Sequence, residues 1–213
     1  MKLNDARGTW TLHAPSTDDA ARLLKAWRLW AAAAIAGALL AAFAYWIAPP
    51  PYRARATVLL DFNLEEAWPE ETDRQQFYYL EREVRKLEEI AWSDSVLQAV
   101  TQPGRSITIS MLRDSRLHLS LPGEAGWHFY ADDPAPDRAA ALATAWANEF
   151  ARQSKMRIES GGGPNSLIVV ELTQAAGPPV GRSVPIGAYL LAGSLMSIFL
   201  TLFLSLFVRR ARL

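Results

Sequence analysis

Three histidines, no cysteine and several paired carboxylates are the residues through which this chain could do chemistry. His13, His118 and His128 lack the His-x-x-x-His spacing that places two imidazoles on one helical turn, and no thiolate is available to complete a zinc site. A solvent-facing or hydrogen-bonded histidine is the simpler reading of each. Glu65-Glu66, Glu70-Glu71 and Asp132-Asp133 supply oxygen ligands for a hard cation. A calcium loop, however, needs oxygens at alternating positions around a glycine turn, so helix capping and solvated loops account for these pairs better. Gly161-Gly162-Gly163 lacks the Lys-Ser or Lys-Thr that completes a phosphate cradle and precedes an apolar run, which makes it a turn. Arg82, Arg85 and Lys86 alternate with Glu81, Glu83, Glu88 and Glu89, the pattern of a salt-bridged helix face rather than of a nucleic-acid surface. No catalytic, cofactor-binding or metal-binding residue is assigned, and the expectation is a protein that is not an enzyme.

The elements that hold these residues fall into an unusual distribution. The chain has 213 residues, a formal net charge of zero and 50% hydrophobic residues, but its apolar content is concentrated in two runs. Leu29 to Ala48 and Ser183 to Val208 carry no charge. At about 1.5 Å per residue each is long enough for a hydrocarbon core roughly 30 Å thick. Trp27, Trp30, Tyr45 and Trp46 bracket the first run and Tyr189 lies near the start of the second, at the depths where amphipathic rings settle. Neither run contains Asp, Glu, Lys, Arg or His, so neither is expected to offer a proton or ion pathway. Ala33, Gly37 and Ala41 recur every four residues, as do Gly193 and Ser197; this is either a close-packing face or a spacing that alanine-rich composition produces by itself.

Positive charge sets the expected orientation. Lys2, Arg7, Arg22, Lys25 and Arg28 precede the first run and Arg209, Arg210 and Arg212 follow the second, which predicts that both termini are cytoplasmic. A cleaved signal peptide is the competing reading, because Ala42-Phe43-Ala44 is a small-x-small site. The long polar leader and Trp46, placed where a processing enzyme wants a small residue, argue against it. The expected organisation is therefore a cytoplasmic leader over 1–28 without a domain of its own, a first transmembrane helix over 29–48, an extracytoplasmic domain over 49–183, a second transmembrane helix over 184–208 and a cytoplasmic tail over 209–213. Arg22 to Trp30 is expected to form a helix that runs into the first span.

Within 49–183, where 14 Lys and Arg face 19 Asp and Glu, Pro49-Pro50-Pro51 stops the first helix. Tyr52 to Phe62 then alternates as a half-buried strand, with Tyr52, Ala54, Ala56, Val58, Leu60 and Phe62 on one side and Arg53, Arg55, Thr57 and Asp61 on the other. After an acidic stretch around Trp68-Pro69, Phe77, Leu80, Val84, Leu87 and Ala91 predict an amphipathic helix. Ser93 is placed to cap a shorter one, DSVLQAV, ending before Pro103-Gly104. Ile107 to Leu112 reads equally as strand or helix. Arg116 to Ser120 and Trp127 to Ala131 alternate around a Pro122-Gly123 turn and predict a hairpin. Asp132 or Asp133 before Pro134 is a helix start, and Ala139, Leu142, Ala143, Trp146 and Phe150 form the stripe of that helix. Leu167 to Leu172 reads as a final buried strand, and Gly177-Pro178-Pro179 leads through Arg182 and Pro185 into the second apolar run. The fold class is α+β: a small antiparallel or mixed sheet of about four strands packed on helices.

Several blocks, in order, resemble the polysaccharide chain-length determinant (Wzz-type) family, the polysaccharide co-polymerases of bacterial envelope glycan export. They are DDAARLLKAWRLW before the first run, YRARATVLL after it, LEEIAWSDSVLQAV, ITISMLR, WHFYADDPAPDRAAALATAWANEF and a proline-containing approach to the second run. The ADDPAPDRAAALATAWANEF block, an acidic-proline turn into an alanine-rich helix bearing Ala-Asn, is the most similar. Two departures stand out. The long helical hairpin that such proteins insert before the last strand is missing, since Ser166-Leu167 follows Phe150 closely, and Arg182 takes the middle place in the series Pro179, Arg182, Pro185 where the family has proline. No kinase domain of the sort fused to some relatives is present either.

The resemblance implies a non-enzymatic scaffold of the bacterial inner membrane in O-antigen, capsule or exopolysaccharide biosynthesis. It implies partners in the lipid bilayer, in further copies of the chain as a homo-oligomer, and in a polysaccharide polymerase or flippase with its nascent glycan, and none in nucleic acid. The alternative is a membrane-tethered ligand-binding or sensor domain that acts through a separate cytoplasmic partner.

Overall fold

The computed structural model describes residues 2–5, 8–11, 25–67, 73–101, 107–121, 123, 126–161, 164–177 and 181–208, and the chain divides into two compact units, Pro50–Ser183 and the two flanking segments taken together.

In the flanking unit the apolar runs are helices α1 (Trp27–Ile47) and α7 (Ile186–Val208). Both are long and apolar enough to cross a membrane. They are not core helices of a soluble domain, since Gly37 is the one buried residue of α1 while side chains such as Leu40, Trp46 and Met196 point outward. The two helices run antiparallel against each other through their small residues. A Cβ at Gly37 would lie 2.3 Å from the Gly193 carbonyl oxygen and 2.5 Å from the Ser197 Cβ, and one at Gly193 would lie 2.5 Å from the Ala41 Cβ. Ser194 Oγ donates to the Ala34 carbonyl at 3.2 Å, and the Tyr45 and Tyr189 rings meet edge to face at 5.1 Å. The recurring small residues are thus a packing face. The leader also holds a hairpin that its sequence did not announce: β1 (Lys2–Asp5) pairs with β2 (Gly8–Thr11). Strands of four residues are too short to leave an alternation signal. Arg22 and the rest of the expected lead-in helix before Lys25 lie outside the described residues, as do the charges that follow α7.

The central unit is built on β3 (Tyr52–Asp61), β4 (Leu117–Leu119), β5 (Trp127–Asp133), β6 (Val169–Gln174) and β7 (Gly181–Arg182). They make one five-stranded sheet in which β4, β5, β3 and β6 follow in order and β7 also pairs with β3. Every pairing is antiparallel. β3 is central because its alternation serves both edges: it pairs with β5 along Tyr52 to Val58, and along its other edge β6 takes Thr57 to Asp61 while β7 takes Tyr52 and Arg53. Leu167 to Leu172 was expected to form a buried strand. The strand is instead an edge strand shifted to Val169–Gln174, with Val170 buried and Val169 exposed. A continuous apolar run does not reveal which of its residues lack a neighbour.

One face of the sheet is covered by α6 (Pro136–Glu159), which packs across β3, β5 and β6. Its expected stripe of Ala139, Leu142, Ala143, Trp146 and Phe150 is buried throughout. The alanines bring the helix close to the strands, and the aromatics fill the space between: Phe129 meets Trp146 at 4.8 Å and Phe150 at 5.0 Å, and Trp127 meets Phe150 at 5.5 Å. Buried ring nitrogens find carbonyls, Trp146 donating to Ala91 at 2.9 Å and Trp127 to Ser120 at 2.6 Å. The helix begins later than Asp132 or Asp133. The chain contains two prolines here, and it is Pro136, with φ preset for the first helical position, that opens the helix, while both aspartates end β5.

The remaining helices are α2 (Leu64–Ala67), α3 (Asp73–Ala91), α4 (Asp94–Val100) and α5 (Ile109–Met111), the last running into a π-helical turn over Leu112–Arg116. The ambiguous Ile107 to Leu112 is thus partly helical. On α3 the buried positions are Tyr79, Glu83, Leu87, Ile90 and Ala91, whereas Phe77 is exposed. The expected stripe was rotated because it excluded a charged residue from the inward face. Ser93 does precede α4, but its hydroxyl donates to the Ile90 carbonyl at 2.7 Å and meets Ser95 rather than capping the helix. Trp68-Pro69, Pro103-Gly104, Pro122 and Pro178-Pro179 lie outside the described residues.

Candidate functional site

Strand periodicity turns alternate side chains of β3, β4 and β5 away from α6, and what they place on the open face is polar. The register brings Arg53 opposite Asp132, Arg55 opposite Tyr130 and Thr57 opposite His128. His118 of β4 lies opposite Tyr130 from the other side. Tyr130 therefore stands in the middle of a patch formed by Arg53, Arg55, His118, His128 and Asp132.

Arg53 grips Asp132 with two parallel hydrogen bonds, Nε to Oδ1 at 2.8 Å and Nη2 to Oδ2 at 2.6 Å. The Asp132 side chain is 7% exposed and that of Arg53 38%, so this pair is pinned rather than free to recruit a ligand. The hydrogen bond to Asp132 raises the Arg53 pKa still further, against the opposing effect of burial. His118 Nε2 approaches the same carboxylate at 3.4 Å. His128 Nδ1 meets Thr57 Oγ1 at 3.2 Å. Burial, with help from the positive charge of Arg55, pushes the His128 pKa below the ordinary histidine value. The Arg53 guanidinium lies 5.9 Å from the centroid of the Tyr130 ring, and the His128 ring lies 6.1 Å from it.

Gly126 fixes where this face ends. Its φ of +98° is one that L side chains rarely adopt, and a Cβ there would fall 2.7 Å from the Val58 carbonyl oxygen and 3.0 Å from Thr57 Cγ2. At Gly126 the chain entering β5 thus passes close beside β3 at Thr57 and Val58.

Of the residues singled out as chemical candidates, the structure brings three onto one face: His118 and His128 share the open face with Asp132. They do not form a metal site, and no cluster of three or more ligating side chains occurs among the described residues. His13 and Glu70-Glu71 lie outside those residues. Asp132 and Asp133 are buried rather than solvated, and they part company. Asp132 serves the open face, while Asp133 turns to the other side and accepts from Arg138 Nε at 2.8 Å, Arg116 Nη1 at 3.2 Å and the Ala135 amide at 2.8 Å. Gly161, with φ of +69°, makes the turn that ends α6.

The charged face of α3 also contains more than surface pairs. Glu83 is fully buried, accepting from Lys86 Nζ at 2.9 Å, Arg82 Nε at 3.0 Å and the Asn165 backbone amide at 2.9 Å. Burial by itself would raise its pKa, yet these donors outweigh that and hold it below the usual carboxylate range. Arg53, Arg55 and Tyr130 went unnoticed as site residues in the sequence. The signal that reveals them is the register: overlaying the outward positions of three alternating segments places them in one patch.

No family model matches this sequence, and no curated protein matches it.

Proposed function

We propose that this chain is a two-pass, non-enzymatic scaffold of the bacterial inner membrane in cell-surface polysaccharide assembly, a shortened co-polymerase that lacks the helical stalk. Both termini lie in the cytoplasm, the Pro50–Ser183 domain lies outside, and copies assemble side by side around a polymerase or flippase. The observation that carries this reading is the order of the elements: two long apolar helices bracket a strand, helix, short helix, hairpin, long helix and strand, which is the order of the blocks that resemble the chain-length determinants. Anchoring at both ends favours oligomers, because it confines domains to a plane and raises their effective concentration. The turn after α6 stands where relatives carry a tall hairpin, which favours organising the machinery over measuring the polymer.

Deleting the gene and resolving surface polysaccharide by gel electrophoresis tests the role, and cross-linking the detergent-extracted chain tests the assembly. Altered amount or length together with a discrete oligomer is expected. A strictly monomeric chain with unchanged envelope glycan overturns the reading.

A further inference from the structure

We propose that the open face centred on Tyr130 binds an acidic saccharide, with Arg55 taking the carboxylate and the Tyr130 ring stacking on the sugar. The ligand class rests on the polysaccharide reading above; the place rests on the geometry of the face. Three observations combine. First, α6 covers one side of the sheet, and on the other side Arg55 and His118 are exposed and Arg53 and Tyr130 half-buried within Pro50–Ser183. Second, this domain carries more acidic than basic residues, yet the patch has a surplus of positive charge. Arg53 is consumed by Asp132, whereas Arg55, exposed and directly across from Tyr130, has no carboxylate partner among the described residues. A solvent-facing guanidinium without a counter-charge on an acidic domain is complementary to an anion.

Third, the groups around that cation suit a sugar better than a bare anion. A pyranose presents a C–H face that packs on an aromatic ring and a rim of hydroxyls that bond to planar polar side chains. Here Tyr130 supplies the ring. Its hydroxyl has no hydrogen-bond partner among the described residues, and the His118 imidazole stands across the strand from it, 46% exposed. The Arg53–Asp132 pair keeps the floor rigid, so little ordering is needed on binding. Sugars linked along a chain can follow the strand direction from Tyr130 toward Asp132, where Arg53 remains partly exposed.

Binding couples to a reporter already in the face. Arg55 helps hold His128 in its neutral form; a carboxylate docked on Arg55 cancels that charge and raises the His128 pKa.

The full chain in nanodiscs of zwitterionic lipid is titrated with a tetrasaccharide of hexuronic acid, a neutral glucose tetrasaccharide of equal length, and inorganic phosphate. Calorimetry reads affinity and histidine NMR reads the His128 pKa. Saturable hexuronate binding is expected, about tenfold or more tighter than the neutral sugar and weakened about tenfold or more by either Arg55→Gln or Tyr130→Leu. The His128 pKa rises on binding in the parent chain and stays fixed in Arg55→Gln. Arg55→Gln breaks no hydrogen bond or ion pair among the described residues, and unchanged circular dichroism and melting temperature separate its loss of binding from a loss of structure. Equal affinity for the neutral sugar, unchanged binding by Arg55→Gln, or full displacement of hexuronate by equimolar phosphate overturns the proposal. So does a His128 shift produced by anionic lipid alone, which makes a headgroup the occupant. Intact hexuronate binding without a deletion phenotype removes the polysaccharide role and keeps the site; a deletion phenotype with binding indifferent to Arg55 does the reverse.

Discussion

At the scale of single residues, Glu83 shows how a carboxylate can belong in a core. Its neighbours Lys86 and Arg82 are partly exposed, so removing the acid strands neither of them; the Asn165 amide does lose its acceptor. Glu83→Ala is expected to destabilise the domain by about 1–3 kcal/mol, and Glu83→Gln, which keeps one acceptor for that amide, by less. Thermal unfolding followed by tryptophan fluorescence checks both. The depressed pKa adds a sign. Glu83 stabilises the fold above the ordinary carboxylate value, about 4.5, and that stabilisation fades as pH falls below it. The parent should therefore lose more stability than Glu83→Gln over that range. His128 works in the neighbouring window. Its pKa is lowered in the fold, so the unfolded chain takes up its proton first, and stability falls as pH drops below about 6.5. Replacing His128 with Gln should flatten the decline in melting temperature between neutral and mildly acidic pH; an unaltered slope counts against the assignment.

At the scale of elements, the contact between α1 and α7 is made by what their small residues leave out. Any side chain at Gly37 must displace the Gly193 backbone or Ser197, and overpacking of this kind costs about 1–3 kcal/mol. With no native cysteine present, a cysteine pair replacing Tyr45 and Tyr189 reports on the contact. Cross-linking is expected to proceed roughly tenfold slower or worse with Gly37→Leu added, since about 1.4 kcal/mol corresponds to tenfold. Elements were also where the sequence was most readable. Strong periodicity announced α6 and β3, and uninterrupted apolar length announced both apolar helices, because each signal runs long enough to be distinguished from chance. What it could not convey was exclusion and choice. The inward face of α3 includes a charge that apolar periodicity passes over, the start of α6 is decided between two prolines, and β6 lies at an edge that only the assembled sheet defines. The open face was half legible: alternation put Arg53 and Arg55 on one side, but their meeting with Tyr130 and Asp132 depends on register across strands far apart in the chain.

At the scale of the whole molecule, the central unit closes on itself. Its last strand is laid beside its first, Tyr52 facing Arg182 and Arg53 facing Gly181. The Ser183 amide donates to the Pro51 carbonyl at 2.8 Å, Arg182 Nη1 donates to the Pro50 carbonyl at 2.6 Å, and the Arg182 guanidinium lies 3.9 Å from the centroid of the Tyr52 ring. Entry and exit of Pro50–Ser183 are therefore neighbours, and the structural identity of the domain does not depend on where its chain happens to start. A circularly permuted version, with Ser183 joined to Pro50 by a short glycine-serine bridge and new ends opened between the exposed Ser160 and Gly161, should fold to the same sheet and keep the same tryptophan burial. Circular dichroism and fluorescence of that permutant decide the matter, with collapse to an unfolded chain as the contrary result. A domain whose ends can be moved in this way can be grafted onto other anchors, or freed from them, as a portable module.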